Sequence, residues 1–136
     1  MRFMIMVRAN HISESDDLPD EKIVTEMTDY HERLAAAGFL VDANGLRPSK
    51  LGWRVKYKGG KPMVIDGPYS ETKELIAGYT IIDVPDRETA IEWTRQFPAP
   101  FGKDLECEVE VRQMFELDDL RPGEAVDRFK ELMKKD

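Results

Sequence analysis

The chain has 136 residues, 41% hydrophobic and 35% charged, with one cysteine and a formal net charge of −7. That length fits one domain able to bury a core without disulfides or a structural metal, and the composition excludes a disordered chain. The negative charge argues against direct nucleic-acid binding, the lone Cys107 excludes an internal disulfide and fits a reducing cytoplasm, and no apolar run approaches a membrane span.

The opening MRFMIMVRANH does not read as a signal peptide, because Arg8 breaks the apolar run and no small-residue cleavage site follows. Arg2 to Arg8 instead predicts a strand that is apolar on both faces, with Phe3, Ile5 and Val7 alternating with Met4 and Met6. After a polar loop, Pro19, Asp20 and Glu21 suit the first turn of a helix. Ile23, Met27, Tyr30 and Leu34 recur at helical spacing, and Gly38 is placed to end that helix. Asn44-Gly45 and Gly59-Gly60 are turn signals. Between them Trp53, Val55 and Tyr57 alternate with Arg54, Lys56 and Lys58, which predicts a half-buried strand whose hairpin partner returns over Met63 to Ile65.

Leu75 to Val84 is a second strand apolar on both faces, and Gly78 within it permits close approach of another backbone or a ligand. Asp86 is a candidate N-cap for a second helix with a stripe of Ala90, Ile91, Thr94 and Phe97, which Pro98 and Pro100 end. Leu105, Cys107, Val109 and Val111 alternate with Glu106, Glu108, Glu110 and Arg112 as a last strand. Pro122 opens a short tail helix with Val126, Phe129 and Met133 on one side. The order β-α-β-hairpin-β-α-β predicts an α+β fold of the ferredoxin-like split βαβ type with an inserted hairpin. In that plan the first and third core strands are central, which matches the two strands that are apolar on both faces. Both helices cover one sheet face, so the Met4 and Met6 side calls for a second copy, and a homodimer is expected.

Charge is unevenly spread. Arg47, Lys50, Arg54, Lys56, Lys58 and Lys61 form a basic stretch, and Asp104, Glu106, Glu108, Glu110, Glu116, Asp118 and Asp119 an acidic one. Such stretches can meet within one sheet or across a subunit contact.

The candidate rim is DGPYSETKELIAGY, Asp66 to Tyr79. Asp66-Gly67-Pro68 is a turn by its own chemistry. Glu71, Lys73 and Glu74 then gather two carboxylates and an ammonium before a central strand, and Tyr79 adds a phenol. Set against this is a plain surface ion pair at a turn, worth about 0–1 kcal/mol.

This stretch resembles the signature of the YCII-related proteins of the DGPF type, with Asp66-Gly67-Pro68-Tyr69 standing for the name motif and Tyr for its usual Phe. The resemblance extends over ERLAAAGFLVDANGLRPS, AIEWTRQFP and EVEVR, from about Met1 to Phe115. Residues 1–115 are therefore expected to form the domain and residues 116–136 a tail with a short amphipathic helix. The resemblance implies a ferredoxin-like domain dimerised into an α+β barrel, and no established reaction. The His–Asp pair attributed to the wider group does not carry over, since its positions are Met27 and Phe97 here. By resemblance, some such domains are associated with extracytoplasmic-function sigma factors.

Candidate ligand-binding residues are Asp66, Glu71, Lys73, Glu74, Tyr79 and Arg112. For acid/base chemistry His31 with Asp66 or Glu71 is the pairing to test, with His11 a second candidate. The two histidines lack the spacing of a metal pair, and Cys107 is expected to be inert packing, so neither a metal nor a cofactor is expected. Ser70 to Lys73 matches S-x-x-K without its companion motifs and is set aside. Three readings stay open: a small-molecule site in a dimer cleft, a non-catalytic regulatory or interaction module, and a stretch that only builds the dimer.

Overall fold

The computed structural model of the protein describes residues 1–134. Its elements are β1 (Arg2–Arg8), α1 (Glu21–Ala36), β2 (Leu40–Gly45), β3 (Trp53–Lys58), β4 (Lys61–Asp66), β5 (Ile76–Asp83), α2 (Arg87–Arg95), β6 (Val109–Gln113) and α3 (Glu124–Leu132). Local chemistry sets several boundaries. Asp20 caps α1 by accepting from the Ile23 amide at 2.9 Å, and Asp86 caps α2 by accepting from the Thr89 amide at 2.8 Å. Gly38 leaves α1 at φ 80°, where a Cβ would be strained.

Four strands form an antiparallel sheet in the order β2-β5-β1-β6, with β1 and β5 in the middle. This is the α+β, ferredoxin-like arrangement, with the β3–β4 hairpin inserted as a separate two-stranded sheet. Phe3, Ile5 and Ile82 on one face of the sheet join Tyr30 and Leu34 of α1 and Ala90 of α2 in the core. Ile5, Tyr30, Leu34 and Ile82 are all 0% exposed, so this face is where burial stabilises the chain.

Three expectations need correction. Asn44 and Gly45 make no turn; they end β2, opposite Tyr79 and Gly78. The reason lies in Gly78: a Cβ there would sit 3.0 Å from the Asn44 carbonyl oxygen, so its missing side chain lets the two backbones close up. β3 is not half-buried, because each of its residues is exposed within the chain. The last strand begins at Val109 rather than Leu105, and Leu105 and Cys107 lie half-buried in the segment before it.

Candidate functional site

Strand alternation gives the central sheet two chemically different faces. On the face away from the helices, register places Asn44, Tyr79, Met6 and Glu110 in one row and Asp42, Ile81, Met4 and Arg112 in the next. Met4, Met6 and Ile81 make the middle of this open face apolar. Polar pairs stand at its sides. The Tyr79 hydroxyl donates to Asp42 Oδ2 at 2.8 Å, and Arg8 Nη2 donates to Glu110 Oε1 at 2.6 Å. The bond to Asp42 raises the Tyr79 phenol above its usual value, and partial burial adds to this. Tyr79 is therefore a fixed neutral donor at neutral pH, with a carboxylate behind it.

His31 is on the other side of the same sheet. Its Nδ1 is 2.6 Å from the Met27 carbonyl and its Nε2 2.8 Å from Thr80 Oγ1. With Nδ1–H donated to the carbonyl, Nε2 accepts from the Thr80 hydroxyl, and both polar atoms of this packed site are satisfied. Tyr30 and Phe97 lie edge-on to the ring at 5.4 Å and 6.2 Å between centroids. The structure thus brings His31 to Met27 and Thr80 rather than to Asp66 or Glu71, while His11 is exposed past the end of β1.

The Asp66 to Tyr79 stretch turns many of its groups onto its own chain. The Gly67 amide donates to the Gly52 carbonyl at 3.0 Å, the Tyr69 amide to Ser49 Oγ at 3.0 Å, and the Tyr69 hydroxyl to the Ile65 carbonyl at 2.8 Å. A Cβ on Gly67 would meet the Ser49 carbonyl oxygen at 2.0 Å, so only glycine fits. The Arg54 guanidinium stacks 3.8 Å over the Tyr69 ring. Glu14 completes the knot by accepting from the Ser49 amide at 2.7 Å. Asp66, Glu71 and Glu74 are exposed around it, and the side chain of Lys73 lies outside the described residues.

Of the expected site residues, Tyr79 and Arg112 share the open face, and Asp66, Glu71 and Glu74 sit at the end of the sheet where β5 begins. The Leu75 carbonyl accepts from Ala9, whereas Arg112 is level with Met4, so Leu75 and Arg112 are about 16 Å apart along the strands and Glu74, beyond Leu75, does not pair with Arg112. Sequence reading missed Asp42, Ser49 and Thr80. A lone carboxylate on the strand Leu40–Gly45 was a usable signal for Asp42; no pattern marks Ser49 or Thr80. Cys107 is half-buried and lines a cavity of about 230 Å³ with Phe97, Pro98 and Val109. Among the described residues no group of three or more His, Cys, Asp or Glu is placed to hold a metal, and no helix is long and apolar enough to cross a membrane.

Comparison with known proteins places these features in a lineage. A family model described as the YCII-related domain matches residues 1–115. An uncharacterized protein of Rhizobium meliloti (strain 1021) is 28% identical over 76 residues, 56% of this chain and 61% of that protein. The chain thus spans less than two thirds of that relative's length.

Proposed function

The chain belongs to the YCII-related family, and we propose that it acts as a homodimer whose open sheet faces meet and enclose a small-molecule site. Met4, Met6 and Ile81 floor this site, Tyr79 and Arg112 contact the ligand, and the exposed Asp66, Glu71 and Glu74, in the turn that also carries Lys73, form its mouth. The observation that carries the reading is the 2.8 Å Tyr79–Asp42 pair beside the apolar Met4, Met6 and Ile81 middle of the open face. With its proton donated to Asp42, the Tyr79 phenol oxygen accepts from a ligand hydroxyl or N–H, and Arg112 attracts an anionic group. Acid/base chemistry in this site would use Asp42 as the proton acceptor behind Tyr79.

A thermal-shift screen against small anionic metabolites tests this reading, run on the wild type and on Tyr79→Phe. The expected result is a ligand-dependent rise in Tm that shrinks in the variant. Equal rises in both proteins count against the site, and a monomer in light scattering at mid-micromolar concentration counts against the dimer.

A second reading, a non-catalytic interaction module near the transcription machinery, draws support from the rim. Its loop bonds turn inward onto Ser49, Gly52 and Ile65, and a shallow depression of about 230 Å³ lies by Phe97 instead. A pull-down that recovers a specific protein partner, lost on Glu71→Lys, favours this second reading.

A further inference from the structure

The β3–β4 hairpin is a firmly rooted arm, and all its residues but the half-buried Ile65 are exposed. Trp53, Val55, Tyr57, Pro62 and Val64 share one face, and Trp53, Tyr57 and Val64 are 65%, 77% and 63% exposed. Arg54, Lys56, Lys58 and Lys61 line the other face. Ion pairs among the described residues use Arg2, Arg8, Lys50, Lys130, Lys134 and the N-terminus, and none uses an arm cation. A lone hairpin is marginal in water, yet the Gly67–Gly52 bond and the Arg54–Tyr69 stack fix the root of this one.

β6 is the complementary edge. It pairs with β1 alone, so its outer side has no strand neighbour. The chain along it reads Leu105-Glu106-Cys107-Glu108-Val109-Glu110-Val111, with Glu106 and Glu108 exposed and Leu105, Cys107 and Val109 half-buried. Glu110 is engaged by Arg8, whereas the Glu108 side chain is 74% exposed and stands 3.9 Å from Arg8. Against it, β3 reads Trp53-Arg54-Val55-Lys56-Tyr57-Lys58. Laid side by side, the two segments match apolar to apolar on one face and cation to carboxylate on the other. β4 is the poorer edge, because Pro62 has no N–H to offer a neighbour.

Within one chain these edges cannot meet. The arm springs from between β2 and β5, and β6 bounds the opposite side of the sheet, about 14 Å away across three strand spacings. Both nevertheless lie at the same end of the strands, since Arg8 neighbours Ile76 and Val7 pairs with Val109. A two-fold axis along the strands carries one side of the sheet over the other and sets each arm beside the partner's β6. We propose that β3 of one protomer pairs edge to edge with residues 105–111 of a second copy, reciprocally, so that the arms clasp the dimer. This rests on the homodimer reading above and adds the contact that selects the partner and closes two exposed edges.

Sedimentation of charge-reversed variants tests the clasp. Lys56→Glu with Lys58→Glu, and separately Glu106→Lys with Glu108→Lys, are each expected to weaken the dimer by about tenfold or more. Combining all four reversals is expected to restore it to within about threefold, which a folding defect would not do. The native thiol gives a second readout: among Trp53→Cys, Val55→Cys and Tyr57→Cys, one is expected to form an intermolecular disulfide with Cys107, lost with Cys107→Ser. A wild-type dimer whose dissociation is unmoved by either reversal, with no cross-link in any variant, overturns the clasp and leaves the sheet-to-sheet dimer standing. A wild-type monomer overturns both. A duplex-DNA gel shift lost in Lys56→Glu with Lys58→Glu, while the dimer is unchanged, overturns the clasp in favour of a nucleic-acid arm.

Discussion

Thr80 and Tyr79 are adjacent in the chain and belong to different worlds. Thr80 is 2% exposed and bonded to His31 beneath α1, while the Tyr79 hydroxyl reaches Asp42 on the face opposite α1 and α2. The same strand therefore serves folding with one set of side chains and is left open with the other. The covered face holds a histidine whose two nitrogens are already satisfied, which makes it a poor place for chemistry. The open face holds polar pairs around an apolar floor, which is a poor investment for a monomer and a good one for a dimer or a binding site.

The largest expected effect is on the covered face. Ile5 is 0% exposed, and Ile5→Ala should cost about 2–5 kcal/mol in urea unfolding through lost burial and the cavity left behind. Met4, its neighbour on the open face, should cost less than about 1 kcal/mol as Met4→Ala at dilute protein, with a loss that grows with concentration as dimers form. Equal, concentration-independent losses at both positions would erase the difference between the faces.

Alkaline pH sharpens the comparison next. Burial pushes the Tyr30 phenol up to about 12, with Arg33 opposing, and its hydroxyl donates to the Trp93 carbonyl at 2.8 Å. The folded value lies above the unfolded one, so the protonated phenol is held by the fold. Stability from this group is complete below about pH 10 and is lost as pH rises from there through about 12, on the order of 1–3 kcal/mol. Urea midpoints at pH 8 and at stepped higher values check this, with Tyr30→Phe expected to flatten the decline. Thr80→Val ranks third. It leaves His31 Nε2 without its donor in a packed site and should cost about 1–2 kcal/mol, a loss that Thr80→Ser should largely repair.

How much of this could be read in the residues follows from what each signal measures. Apolar alternation reports how many faces of a strand are covered, so Arg2–Arg8 and the Leu75–Val84 strand declared themselves central and the sheet order followed. The Asp20 and Asp86 caps and Gly38 are local chemistry, legible one residue at a time. Asn44-Gly45 misled because a turn signal is statistical, and the close approach over Gly78 overrode it. β3 has the alternation of a half-buried strand, but its residues are all exposed among the described residues; pattern tells that a face wants cover and not whose. At the rim, the charges of Glu71 and Glu74 drew notice, whereas the bonds of Gly67 and Tyr69 to residues 49–52 depend on a long-range fold that spacing does not encode.

The smallest expected effect on stability is the most informative about function. Tyr79→Phe removes one hydroxyl whose partner, Asp42, can turn to water on the open face, so urea unfolding should be unchanged within error. If the open face exists to hold the fold together, this variant should instead lose stability as Thr80→Val does, and the two faces would be equivalent. If it exists to meet something outside the chain, Tyr79→Phe should fold normally and differ only when a ligand is present. The pair of neighbouring variants thus separates the two roles of one strand: a loss confined to Thr80 in stability and to Tyr79 in binding is the outcome that the arrangement of these faces requires.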